Sequence, residues 1–118
     1  MADRFTIRRG DRSPWIAYQF GIDLSLATAV TFSLRDEAAK AVFVDNAPAI
    51  VANGSYRIDG KLVTLSPEDG VVFYAWTGED TAVERRSCMG LFHIQWPGGL
   101  QETWPSKGYI PVEIGPNF

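Results

Sequence analysis

No window of a dozen residues in this chain repeats apolar side chains at the three-and-four spacing of an amphipathic helix. Short runs that alternate apolar and polar residues recur instead from one end to the other. Turn-formers close the runs: Gly10-Asp11-Arg12-Ser13-Pro14, Asn53-Gly54, Asp59-Gly60, Ser66-Pro67-Glu68-Asp69-Gly70 and Pro97-Gly98-Gly99. Fifteen-residue helices have no place in such a pattern, and many short strands joined by tight turns predict an all-β sandwich.

Alternation sets the phase of each strand. In Ala29–Arg35 the apolar Val30, Phe32 and Leu34 face one way and Thr31, Ser33 and Arg35 the other. Ile16, Tyr18 and Phe20 share a face, and Asp23–Ala27 is a bend with room for one helical turn. Asp36–Lys40 reads as a hairpin connection, and Pro48 confines the strand from Ala41 onward to an edge or a bulge. The same phase names a core of Val30, Phe32, Leu34, Val72, Tyr74, Trp76, Phe92, Ile94, Trp96, Ile110, Val112 and Ile114. Val71–Trp76 is apolar on its second face too, through Val71, Phe73 and Ala75, so something covers both faces. A loop of this chain or a neighbouring molecule would serve.

Length and charge narrow the function classes. A chain of 118 residues fits one domain, residues 1–118, with a single core. The 46% hydrophobic and 21% charged composition is that of a folded protein rather than a disordered one. A net charge of -3 argues against a nucleic-acid surface, and Arg8, Arg9, Arg12, Arg85 and Arg86 read as solvated, with acidic residues nearby. No apolar stretch approaches the ~20 residues that cross a bilayer, and the N-terminus shows no signal-peptide pattern. Synthesis in a cytoplasm is expected, and the lone Cys88 cannot form an internal disulfide.

Chemistry-bearing residues are sparse. His93 is the one histidine, and its phase sets it on an outward face with Leu91 and Gln95. Without a second ligand at metal spacing it forms no zinc site, and no nucleophile–base arrangement can be built around it. The acidic pairs Asp36-Glu37, Glu68-Asp69 and Glu79-Asp80 sit in separate turns, whereas calcium needs several converging oxygens. Asp80-Thr81 reads as a loop-ordering pair. Cys88 reads as a packing residue, Arg9-Gly10-Asp11 as a turn, and Asn53-Gly54-Ser55 as another. Neither an enzyme nor a cofactor is expected.

One array of residues carries a family resemblance. It comprises Leu24 with Ala29-Val30-Thr31-Phe32, Val72–Trp76 with Asp80-Thr81, Gly90-Leu91-Phe92, Trp96–Gly99, Thr103-Trp104-Pro105 and Gly108-Tyr109-Ile110. From about Arg9 to Ile114 the chain resembles the small immunoglobulin-like domains of tailed-phage virion proteins. The named relative it resembles is the N-terminal domain of phage baseplate upper proteins. The resemblance implies an immunoglobulin-like antiparallel β-sandwich located in the virion, attached at the tail, baseplate or a fibre. It implies other virion proteins as partners, in a symmetric multi-copy assembly or homo-oligomer. Departures from the family are expected in the lack of an appended receptor-binding module and in a longer segment from Asn46 to Asp59, for which the sequence suggests no purpose. Contacts are expected at Trp15, Phe73, His93 and Trp104. Rival readings are a head decoration protein on the same fold and a receptor- or carbohydrate-binding module, with Trp15 and Trp104 stacking on host-surface glycan.

Overall fold

The computed structural model describes residues 4–58 and 60–118. Among them the strands, in chain order, are β1 (Phe5–Arg8), β2 (Ile16–Gln19), β3 (Ala29–Asp36), β4 (Ala41–Pro48), β5 (Ile50–Val51), β6 (Gly54–Ile58), β7 (Lys61–Leu65), β8 (Val71–Tyr74), β9 (Arg85–Trp96), β10 (Leu100–Trp104) and β11 (Ile110–Gly115). The one helical piece among the described residues is a 3-10 turn, Pro67–Asp69. The protein is all-β, with mostly antiparallel pairing.

The larger sheet runs β1-β11-β9-β3-β4, and the smaller runs β2-β8-β5. The long β9 serves two partners along one edge: Gly90 pairs with Ile110 of β11, and Phe92 with Trp104 of β10. β1 lies parallel to β11, with Phe5 opposite Val112. Pro48 ends the edge strand β4, where a missing N–H breaks no ladder.

Aromatic rings join the two sheets. Phe32 of β3 stacks on Tyr74 of β8 at 4.7 Å between centroids and meets Phe92 of β9 at 4.8 Å. Phe20, just past β2, meets Phe92 edge-on at 5.6 Å. Gly90 leaves room for this cluster, since a Cβ there would stand 3.2 Å from the Phe32 ring. Gly70 is required for another reason: it sits at φ +68°, and a Cβ would fall 2.3 Å from the Ile22 carbonyl oxygen.

The expected core residues are buried, with one exception. Trp96 is only partly buried, because β9 ends there at the turn into β10, and its indole N–H donates to Glu102 Oε1 at 2.8 Å. Two further expectations need correction. The alternation of Leu91–Trp96 predicts a strand there, but β9 begins at Arg85, and Arg85 is not solvated surface. Its guanidinium bonds Asp36 Oδ2 at 2.8 Å and lies 4.1 Å over the Phe43 ring. Opposite charge and a ring face 40 or more residues away hold this arginine, which no local pattern reveals.

The segment from Asn46 onward acquires a purpose. It closes β4, supplies β5 to the smaller sheet and leads into the β6–β7 hairpin, which among the described residues pairs with neither sheet. Asp59, expected in the turn of that hairpin, lies outside the described residues, and the ladder on either side (Ile58 opposite Lys61) is that of a hairpin. Tyr56 of β6 packs on Phe73 of β8 at 5.0 Å, so the second apolar face of β8 is covered from within the chain. Phe73 is 6% exposed, which removes it as a free contact residue.

Candidate functional site

The four expected contact residues fall in three places. His93 lies on the outer face of the larger sheet, between Thr31 of β3 and Thr103 of β10, and its Nδ1 is 3.1 Å from Thr103 Oγ1. Beside it, Gln95 donates to Gln101 at 2.7 Å. Trp104 points inward, 5.6 Å from the Phe20 ring, with its indole N–H donated to Glu102 Oε2 at 3.2 Å. Trp15 leans on Phe73 at 6.1 Å beyond the smaller sheet. Trp15 and Trp104, the pair a sugar platform would use, therefore rest on different rings.

The outer face of the larger sheet is polar around His93 and mixed toward the start of β9. Around His93 and Gln95 the side chains bond one another across the strands. Toward the start of β9 apolar side chains gather around Arg35: Met89 and Leu91 line a shallow cavity of about 240 Å³ with Val42 and Tyr109, and Ser33 and Arg35 of β3 line it too, Arg35 standing between Val42 and Met89 in the sheet. Val42 is 54% and Tyr109 48% exposed. Tyr109 follows Gly108 in the bend between β10 and β11, while Val42 is set opposite Arg35 by the β3–β4 register. The sequence reading missed this patch because Val42 and Tyr109 are 67 positions apart and neither belongs to the alternation that marks the core.

A second concavity of about 470 Å³ opens beside the smaller sheet. Phe73 forms its floor, with Trp15 and Ala17 from the β2 side and Tyr56 and Ile58 from the hairpin. Tyr56 is fixed there by its hydroxyl oxygen, which accepts the Asn53 backbone N–H at 3.0 Å.

The buried titratable groups serve structure. Burial alone would raise the Asp36 carboxyl. The Arg85 hydrogen bond and the amides of Ala39 and Ala38 outweigh burial and hold it below the usual carboxylate range. Burial first, and the Asp36 charge second, push the Cys88 thiol up to about 11 against the pull of Arg85, so it stays protonated at neutral pH. Burial also raises the Tyr74 phenol, reinforced by its hydrogen bond to Asp80. Asp80 accepts the Thr77 N–H at 2.9 Å, and Thr81 Oγ1 donates to the Asp11 carbonyl at 2.8 Å, so this pair orders its loop. The Arg9-Gly10-Asp11 turn is pinned by the Gly10 N–H to the Thr81 carbonyl at 2.8 Å. Among the described residues no three His, Cys, Asp or Glu side chains converge on one point, and no helix is long and apolar enough to cross a membrane.

Asp36 makes a pH prediction. Its folded pKa is depressed, so its stabilisation is complete above the unfolded value of about 4 and is lost as pH falls through the folded value. Asp36→Asn should cost about 1.5–3 kcal/mol at pH 7, the worth of a hydrogen bond to a charged partner. The gap to the unsubstituted chain should narrow as pH falls below about 4, as urea unfolding across pH 2–7 would measure. A gap that is constant with pH would assign the loss to shape rather than charge.

Comparison with protein-family models, curated proteins and solved structures gives no match.

Proposed function

We propose that this chain is a structural subunit of a tailed-phage particle, an immunoglobulin-like sandwich that works by protein–protein assembly and catalyses no reaction. The strand order supports the fold part. Taking β2, β3, β4, β5, β8, β9 and β11 as B, C, C′, D, E, F and G gives one sheet of G-F-C-C′ and another of B-E-D. Those are the neighbours of a variable-type immunoglobulin sandwich. The β6–β7 hairpin is then an insertion between D and E.

The observation that carries the assembly part is the apolar cluster around Arg35 on the larger sheet's outer face. Val42, Met89, Leu91 and Tyr109 come together there around Arg35 although the core leaves no need for them, and apolar side chains with an arginine among them suit a protein partner. Repetition around a ring or fibre would multiply modest contacts into firm attachment. Virion location, whether tail, baseplate, fibre base or head, belongs to the same proposal.

Leu91→Asp tests it. The residue faces outward, so the variant should fold with little change in melting temperature. Its incorporation into particles, measured by mass spectrometry of purified virions, should drop about tenfold or more, as for loss of an interface hot spot. A folded variant incorporated at the unsubstituted level would overturn the role given to this face.

A further inference from the structure

We infer that the Arg35 cluster docks on a second copy of this chain, receiving the Val83-Glu84 bend of its neighbour head to tail. The inference rests on the reading of this face as an assembly surface and names what covers it.

Arg35 dictates what an occupant must bring. Strand pairing sets Val42, Arg35, Met89 and Pro111 in one row across four strands, with Leu91 and Tyr109 alongside. Arg35 is exposed, and the ion pairs among the described residues are Arg4–Glu113 and Arg85–Asp36, so no carboxylate holds it. A wholly apolar partner would strip water from this guanidinium and leave it unpaired, which is costly. A carboxylate with an apolar neighbour avoids that cost. It can take two parallel hydrogen bonds from the guanidinium while the neighbour covers the apolar rim.

The chain carries such a pair itself. Among the described residues, Val83 is the one exposed large apolar side chain with an acidic residue next to it in sequence. It is 54% exposed, and Glu84 is exposed with no ion pair among those residues. Other exposed apolar residues offer less. The acid nearest Leu26 in sequence, Asp23, is held by Ser25, and the one nearest Leu100, Glu102, accepts from Trp96 and Trp104. The bend is also held at both ends: buried Thr81 donates to the Asp11 carbonyl at 2.8 Å, and Arg85 bonds Asp36 at 2.8 Å. An ordered projection has little freedom left to lose on docking. The bend joins the smaller sheet to the larger, whereas the cluster lies on the larger sheet's outer face. Contact between two different surfaces is heterologous, and its repetition builds a ring or a fibre. Each contact is small and weak alone, and gains strength from repetition.

The test is a concentration series of the full chain, from micromolar to millimolar, followed in methyl spectra. The Val83 and Leu91 methyl signals should shift together as concentration rises, while those of the buried Val72 and Val112 stay in place. Arg35→Glu and Glu84→Arg should each weaken self-association about tenfold or more. Glu84 stands on a bend outside the strands, so its variant keeps the test decisive if Arg35→Glu loosens β3. The double variant, with the two charges exchanged, should associate again. Three outcomes would overturn the inference: no concentration-dependent shift, single variants that associate like the unsubstituted chain, or a double variant that fails to recover. The two proposals fail separately. A chain that stays monomeric while Leu91→Asp is lost from virions keeps the assembly reading, with another virion protein on this face, and sinks the second-copy contact. Copies that associate through Arg35 and Glu84 while Leu91→Asp is incorporated at the unsubstituted level sink the assembly reading alone.

Discussion

Phe73→Asp should abolish the native fold rather than free a surface. The ring is 6% exposed beneath Tyr56 and against Trp15, so the substitution removes an aromatic side chain and leaves a carboxylate in its place. Truncating a buried aromatic costs about 3–5 kcal/mol, and an unpaired buried charge adds several more. A loss above about 5 kcal/mol equals the whole stability of many domains this size. Near-ultraviolet circular dichroism and urea unfolding should show a chain without fixed aromatic packing. A variant that keeps its aromatic signals and melting temperature would mean that the hairpin lifts away and β8 offers an apolar face to a partner.

Phe32→Ala should be the most costly apolar truncation. Its ring is fully buried where the sheets meet, within 4.7 Å of Tyr74 and 4.8 Å of Phe92, and edge-on to Trp76 at 6.0 Å. Surrounding rings cannot collapse into the space, because Tyr74 is anchored on β8 and Phe92 on β9. About 3–5 kcal/mol should be lost, seen as a lower urea midpoint at unchanged slope. A loss under about 1 kcal/mol would show that the sheets do not meet through this ring.

What could be read from the sequence was whatever repeats locally. Val30, Phe32 and Leu34 alternate within one strand, so period alone gave their face, and the same holds for Phe92 with Ile94 and for Val112 with Ile114. The double-sided apolar pattern of Val71–Trp76 correctly implied a second cover. What alternation could not say was which atoms provide it, because Tyr56 reaches Phe73 across a separate hairpin. Arg85 fails for the same reason: beside Arg86 it looks solvated, while its partners Asp36 and Phe43 lie on other strands. Both candidate surfaces share that limit, since Val42 with Leu91 and Trp15 with Tyr56 become neighbours only through pairing and packing. Trp15 follows Pro14 next to a strand, and His93 has the phase of an outward face. Neither signal could say that they lie on opposite sheets.

The β6–β7 ladder closes on itself and meets the rest of the molecule through side chains, Tyr56 above all. Such an attachment makes the hairpin a replaceable module. Its length and outward residues are free to diverge, or to be redesigned as a graft, provided one aromatic plug still seals Phe73.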